Sequence, residues 1–447
     1  MQRLPHIKVQ EVAVTILIGL SLMAQAALPD LPPTADRQVI IPVQGSDSVK
    51  AVVQAGPVVP IAALAFSPDG KTLAQGAYKE VLLWDLEAVA LARRLGPGAH
   101  KVSGIQGNVQ AVTFFKDGRR LAASDGIAAK AGSVRIYDLR SMQETMVLVG
   151  PNDVVYCLSL DPNEKELAAG GADGKVYVWG TNDGRRLATI DAHGGWVQGL
   201  AFSPDANNLA TVGADRTLRL WETRSWTPKA TIPQPASVHD VRYSPDGQFL
   251  AIALGGPQER SISIQRADNP RRQAVGTAST GAGLPLAIAW TAKPNRIYAA
   301  CSDGTIKVID AASRRRQTDL IAHDDWVYSV AISPDGTKLA SGSADGTVKL
   351  WTTADNRLLA TLVKVHPDPN AWAIVTSQGY FTASSAEVVQ WRSAKEGGSA
   401  SEAAVQLNDI ERVRAILAGK GQAKAEIPKA KGPPKAGPGR NVGRQSK

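Results

Sequence analysis

The feature that most constrains this chain is a row of residues that recurs about every 42 positions between residues 56 and 363. Its clearest copy is WVYSVAISPDGTKLASGSADGTVKLW, from Trp326 to Trp351. Apolar and polar residues alternate there with period two, as in strands whose two faces meet different surroundings. SPDG interrupts the alternation with a tight turn, where Pro334 presets the backbone angle and Gly336 accepts the positive φ that follows. ADGT supplies a second turn, and Arg357–Leu362 a further apolar stretch. Each row therefore predicts four short antiparallel strands.

The row returns from Trp196 to Trp221 with SPDA and ADRT at its turns, and again at 60–84 and 154–179. Three worn copies lie in register at 108–137, 236–265 and 284–309. The closing position holds Trp84, Tyr137, Trp179, Trp221, Gln265, Ile309 and Trp351, spaced 53, 42, 42, 44, 44 and 42 apart. The long spacing reflects an insertion around Ile127–Gly132. One such unit cannot bury its own faces, so the units must stack on one another.

These rows resemble WD40 repeats, on the strength of the FSPDG and ISPDG turns, ASGSADGTVKLW, and Ala192-His193 and Ala322-His323 ahead of two rows. The resemblance implies an all-β fold, a WD40-type β-propeller of four-stranded blades set radially around a channel. It also implies a structural hydrogen-bonded network in the best blades: His193, Thr211, Asp215 and Trp221 in the fourth row, and His323, Ser341, Asp345 and Trp351 in the seventh. The third row keeps Asp173 and Trp179 but has Ala169 in place of the hydroxyl. These His–Ser/Thr–Asp sets are read as structure, not as catalytic triads.

Two segments flank the rows. AWAIVTSQGYFTASSAEVVQWR, 371–392, reads as a worn copy lacking its outer strand, and SVKAVVQ, 48–54, as a lone strand. Together they predict a shared blade within 364–392 and 27–55, giving eight blades in preference to seven with 371–392 packed outside. Glu402–Ala418, within 393–447, has the apolar spacing of a short amphipathic helix. The Gly-, Pro-, Lys- and Ala-rich stretch beyond it is read as a disordered basic tail.

That tail also disposes of the net charge. Of the +9 total, residues 419–447 carry +7, from eight Lys/Arg against Glu426. The rows hold no basic stripe, which argues against nucleic acid as a partner. At the other end, Arg3 and Lys8 precede the apolar run Val12–Met23, and Ala24-Gln25-Ala26 gives a small-x-small cleavage pattern. Residues 1–26 are read as an export signal cut near Ala26, with an uncleaved membrane anchor as the alternative. A periplasmic or secreted chain without a transmembrane segment is expected. Cys157 and Cys301, three rows apart, are expected to stay unpaired in the core.

Motifs for catalysis are absent: no GxxxxGK[ST], GxSxG, HExxH or CxxCH occurs, and the six histidines lack metal-ligand spacing. No metal and no cofactor is expected. What the resemblance leaves is a face, built from positions just before and within each inner strand: Asn108, Gln110, Tyr156, Trp196, Gln198, His239, Trp326 and Tyr328. Trp and Tyr are the usual anchors of interfaces. The expectation is a non-catalytic, monomeric scaffold that binds an envelope protein or peptide on that face. The alternative is a propeller hydrolase or lyase, or a carbohydrate or small-ligand binder at the channel mouth.

Overall fold

The computed structural model describes residues 37–43, 49–56, 58–96, 104–269, 274–293, 295–366, 368, 370–393 and 407–419. The expected export signal, nearly all of the basic tail and residues 402–406 lie outside them. Seven antiparallel sheets follow one another, formed by residues 64–95, 112–149, 155–191, 197–233, 237–279, 285–321 and 327–364. We call them blades one to seven.

Blade seven shows how the row folds. Its strands are Val327–Ile332, Lys338–Ser343, Thr347–Thr352 and Leu358–Lys364. At the SPDG turn, Ser333 Oγ donates to Asp335 Oδ1 at 2.5 Å and accepts from Lys338 N at 2.9 Å. Gly336 takes φ +72. In the middle strands the period-two exposure pattern disappears: Lys338–Ser343 and its counterparts are buried almost throughout. Both faces of each middle strand are covered, one by each neighbouring blade. Val212, Leu218 and Leu220 of blade four, for example, pack on Val238, Val241 and Ile252 of blade five.

The innermost strands succeed one another around an axis, and Val327–Ile332 returns to lie beside Leu64–Phe66 of blade one. The ring thus closes at seven. Ile61 N donates to Ser343 O at 3.1 Å, and Ser329 Oγ donates to Ile61 O at 2.9 Å, so no gap is left for another blade.

The preference for eight blades is therefore corrected. Trp372–Thr376 does not face the axis; it pairs with the outermost strand of blade seven, Lys364 opposite Trp372, and Phe381–Ala383 follows. That sheet grows outward to six strands. Val389–Ser393 instead pairs with Val49–Gly56, which pairs with Arg37–Pro42. The two chain ends thus meet in a three-stranded sheet outside the ring, over the junction of blades seven and one. Blades one and seven are each contiguous in sequence, so this outer clasp takes the place of a shared blade.

A helix completes the clasp, Ile410–Leu417, inside the expected 402–418, of which residues 402–406 lie outside the described residues. Asp409 caps it, accepting from Arg412 N at 3.0 Å, and Asn408 is held in a bridge to Phe381. Val413, Ile416 and Leu417 are buried in a cluster shared with Trp84 of blade one and Leu362 of blade seven. Arg414 Nε donates to Glu87 O on blade one at 2.7 Å. Trp372 meets Trp84 edge-on, with ring centroids 6.3 Å apart.

The long spacing between the first two closing positions has two causes, of which the larger is a connection from Leu95 to Asn108 longer than those between the later blades. The middle hairpin of blade two is extended, with Asp125 opposite Ser133 and Ile127 opposite Ala131.

Candidate functional site

The innermost strands share one irregularity. In blades three to seven the pairing skips one residue, a β-bulge at Tyr156, Gln198, His239, Leu286 and Tyr328. A bulge re-aims the skipped side chain out of the ladder. In blades one and two the same position falls on Ala62 and Gln110, since Gly76 N bonds to Ala63 O and Ser124 N to Ala111 O. These seven residues, one per blade, line a single cavity of about 140 Å³. Pro60, Asn108 and Trp196, each two positions earlier in its row, complete the wall.

Of the eight residues expected on this face, seven line the cavity. Trp326 does not, but it stands beside it, its ring 6.0 Å from that of Tyr328. Tyr156 and Trp196, from neighbouring blades, form a second aromatic pair at 6.3 Å. Ala62, Leu286 and Pro60 were not expected. They sit at the same offsets as the others, so the register could have found them; only their small or apolar chemistry made them unremarkable.

Nothing on the wall carries a formal charge. Burial drives the His239 imidazole down to about 4, so it is neutral near pH 7. Burial, reinforced by Asp153 and Asp325 respectively, pushes the Tyr156 and Tyr328 phenols up to about 12. His239 Nε2 and Gln198 Oε1 are buried without a hydrogen-bond partner among the described residues.

The histidine sets lie apart from this cavity. In blade four His193 Nδ1 is 2.8 Å from Asp215 Oδ1 and Nε2 is 2.9 Å from Thr211 Oγ1, while Trp221 Nε1 donates to Thr211 Oγ1 at 2.9 Å. In blade seven His323 meets Asp345 and Ser341, both at 2.9 Å, and Trp351 Nε1 donates to Ser341 Oγ at 3.1 Å. With Nδ1–H on the carboxylate, Nε2 accepts the hydroxyl proton and the hydroxyl accepts from the indole. Every group is satisfied, and Ser341 is fully buried.

Other blades use substitutes. Trp84 Nε1 donates to Gln75 Oε1 at 2.8 Å, and Tyr177 OH donates to Asp173 Oδ2 at 2.8 Å. In blade six a buried Lys307 joins Asp303 and Asp319, each at 3.0 Å. Asp303 and Lys307 hold the positions of Asp345 and Lys349 in the seventh row, so the repeat register marks them; only Asp319, in the outermost strand, carries no motif signal. Cys157 and Cys301 are free thiols, raised by burial, Cys157 to about 12. Among the described residues no group of three or more His, Cys, Asp or Glu could hold a metal ion, and no helix is long and apolar enough to cross a membrane.

Comparison with known proteins agrees with this architecture. The WD40 family profile (WD domain, G-beta repeat) matches residues 142–180, 184–222 and 314–352. The WD repeat-containing protein slp1 of Schizosaccharomyces pombe is 27% identical over 269 residues, 59% of this chain and 53% of that protein. Periodic tryptophan protein 2 of Arabidopsis thaliana is 25% identical over 52% of this chain and 26% of its own length. Protein groucho of Drosophila melanogaster is 32% identical over 122 residues, 27% of this chain and 16% of its own. The chain thus spans about half or less of the length of these relatives. A chain in a crystal structure of the mitotic checkpoint complex superposes with TM-score 0.59 at 23% identity, over 72% of this chain and 96% of that one. The closed ring of four-stranded sheets and these matches make the fold a WD40-type β-propeller carrying WD40 repeats.

Proposed function

We propose that this protein is a non-catalytic interaction platform that docks a polypeptide partner on the cavity-bearing face. The observation that carries the reading is the ring of seven bulge residues around one cavity, walled by the Tyr156–Trp196 pair with the Trp326–Tyr328 pair at its edge. Half-buried aromatic side chains beside a concave, uncharged pocket are what hot spots of protein interfaces are made of. A non-enzymatic role is supported by the chemistry that is tied up elsewhere: both hydroxyl–histidine–carboxylate sets are closed onto indoles, and burial holds both thiols in their protonated form.

With this goes the proposal that the platform works, as a single propeller, in the cell envelope after export. Residues 1–26 alone support that setting, and the relatives described above come from eukaryotes. Mass spectrometry of the mature N-terminus tests it: Ala27 is expected, and an intact Met1 on a cytoplasmic protein overturns it.

The docking reading is tested by capturing partners from an envelope extract with the wild type and with Trp326→Ala/Tyr328→Ala. The variant should lose them while its thermal transition stays nearly unchanged. Retention of every partner removes this face from the mechanism.

A further inference from the structure

We propose that the cavity-bearing face recognises two basic side chains of the docking polypeptide, one at a Tyr–Asp station on blade three and one at its counterpart on blade seven. The inference rests on the docking reading and names the chemistry of the partner.

The repeat register singles out these two blades. Among the seven bulge positions only two hold tyrosine, Tyr156 and Tyr328. Three positions earlier the other rows have Val59, Gly107, Gly195, Ala236 and Gly283, whereas these two have Asp153 and Asp325. Tyrosine and carboxylate come together or not at all. Blades three and seven are also as far apart as two blades of seven can be. The two stations therefore stand on opposite sides of the cavity that both tyrosines line.

The two carboxylates are held alike. Asp153 Oδ1 accepts from Val154 N and Asp325 Oδ1 from Trp326 N, both at 2.8 Å. Asp153 Oδ1 also accepts from Ala129 N at 2.9 Å, and among the described residues Asp153 forms no ion pair. Asp325 Oδ2 has only Arg37 Nη1, at 3.7 Å, beyond hydrogen-bond reach. The exposed Asp324 adds a further negative charge beside it. Burial and the adjacent carboxylate keep each phenol protonated, so the charge at each station is the aspartate's.

An aromatic pair completes each station, Tyr156 with Trp196 and Tyr328 with Trp326, and all four rings are half-buried. A cation within about 6 Å of a ring centroid is drawn to the π face. A neighbouring carboxylate adds a charge-assisted hydrogen bond. A basic side chain gains from both, and an acidic one is opposed by both. A guanidinium, planar and forked, can stack on a ring and bond the carboxylate at once.

The test uses the whole protein and three peptides, acetyl-Gly-Ala-X-Ala-Gly-N-methylamide with X as Arg, citrulline or Glu. Citrulline keeps the shape of arginine and lacks its charge. The indole resonances of Trp196 and Trp326 report the two stations separately. The Arg peptide should shift both saturably, and the citrulline and Glu peptides should bind at least about tenfold more weakly. Asp153→Asn should weaken the Trp196 response about tenfold and spare that of Trp326, and Asp325→Asn should do the converse. Asn can still accept the backbone bonds, so neither thermal transition should move.

Equal or tighter binding of the citrulline or Glu peptide overturns the proposal. So does an Arg peptide that is silent, shifts only one indole, or is indifferent to both Asn substitutions. Partner capture separates this failure from a failure of docking. If Trp326→Ala/Tyr328→Ala loses its captured partners while Asp153→Asn/Asp325→Asn retains them all, docking stands and the basic side chains fall. If both variants retain every partner, the docking reading falls as well.

Discussion

Ser329 Oγ donates a 2.9 Å hydrogen bond to the carbonyl of Ile61, joining the last blade to the first across 268 positions of sequence. Both residues are buried, and Ile61 N returns a bond to Ser343 O. In a ring with no shared blade this contact and the outer clasp are what resist opening at the junction. Ser329→Ala should cost about 1 kcal/mol, the net worth of one buried hydrogen bond, read as a shift of the urea midpoint at constant slope.

The clasp carries a larger share. Val413 of the helix is fully buried against side chains from both junction blades. Val413→Ala should cost about 2 kcal/mol through lost packing, and amide exchange in blades one and seven should rise more than in blade four. Uniform acceleration around the ring would mean that the helix does not guard the junction.

The indole-capped networks make a contrasting prediction. Ser341→Ala leaves both His323 Nε2 and Trp351 Nε1 without a partner. Two buried groups stranded together should cost about 3 kcal/mol. Blade three already has Ala169 at this position and no histidine to strand, so Ala169→Ser there should change stability by well under 1 kcal/mol. Equal effects at the two positions would refute the assignment of the set as a satisfied network.

Stability should also fall on acidification. Burial lowers His239 to about 4, and lowers His193 and His323 despite the opposing pull of their aspartates. A histidine whose folded value lies below its unfolded value of about 6.5 favours the folded state fully above that pH. Its contribution is lost as the pH drops toward the folded value, here between about 6.5 and 4. For His239 alone the loss approaches roughly 3 kcal/mol. Urea midpoints at pH 7.5 and 5 should differ accordingly, and His239→Met should flatten the dependence. A flat profile in the wild type would show that these rings titrate normally.

Much of this was legible in the rows. The offset that places Tyr156 and Gln198 on the face also places Ala62 and Leu286, so the position was readable even where the residue looked inert. The strand at Arg37–Pro42 was overlooked although Val39, Ile40 and Ile41 mark it. Blade number was less readable for a physical reason. The Trp372–Thr376 and Val389–Ser393 stretches are as rich in apolar residues as blade strands, and apolar content records that a strand is buried, not whether it faces the axis or the outer edge. The Ser329–Ile61 closure and the pairing of Trp372–Thr376 with the outermost strand of blade seven distinguish the two.

Ala62 offers the sharpest test of the face, because it is the smallest of the seven bulge residues and the one that leaves the cavity open. Its side chain is half-buried at the wall and belongs to none of the interblade apolar clusters. Ala62→Trp should fill much of the 140 Å³ without disturbing a blade interface, so the thermal transition should move by no more than a degree or two. Partner capture should nevertheless drop at least about tenfold, because a filled cavity leaves the docking polypeptide no recess to enter. If the Trp variant melted normally and still captured every partner, the cavity would be a by-product of the bulges and the binding surface would have to lie elsewhere on the ring.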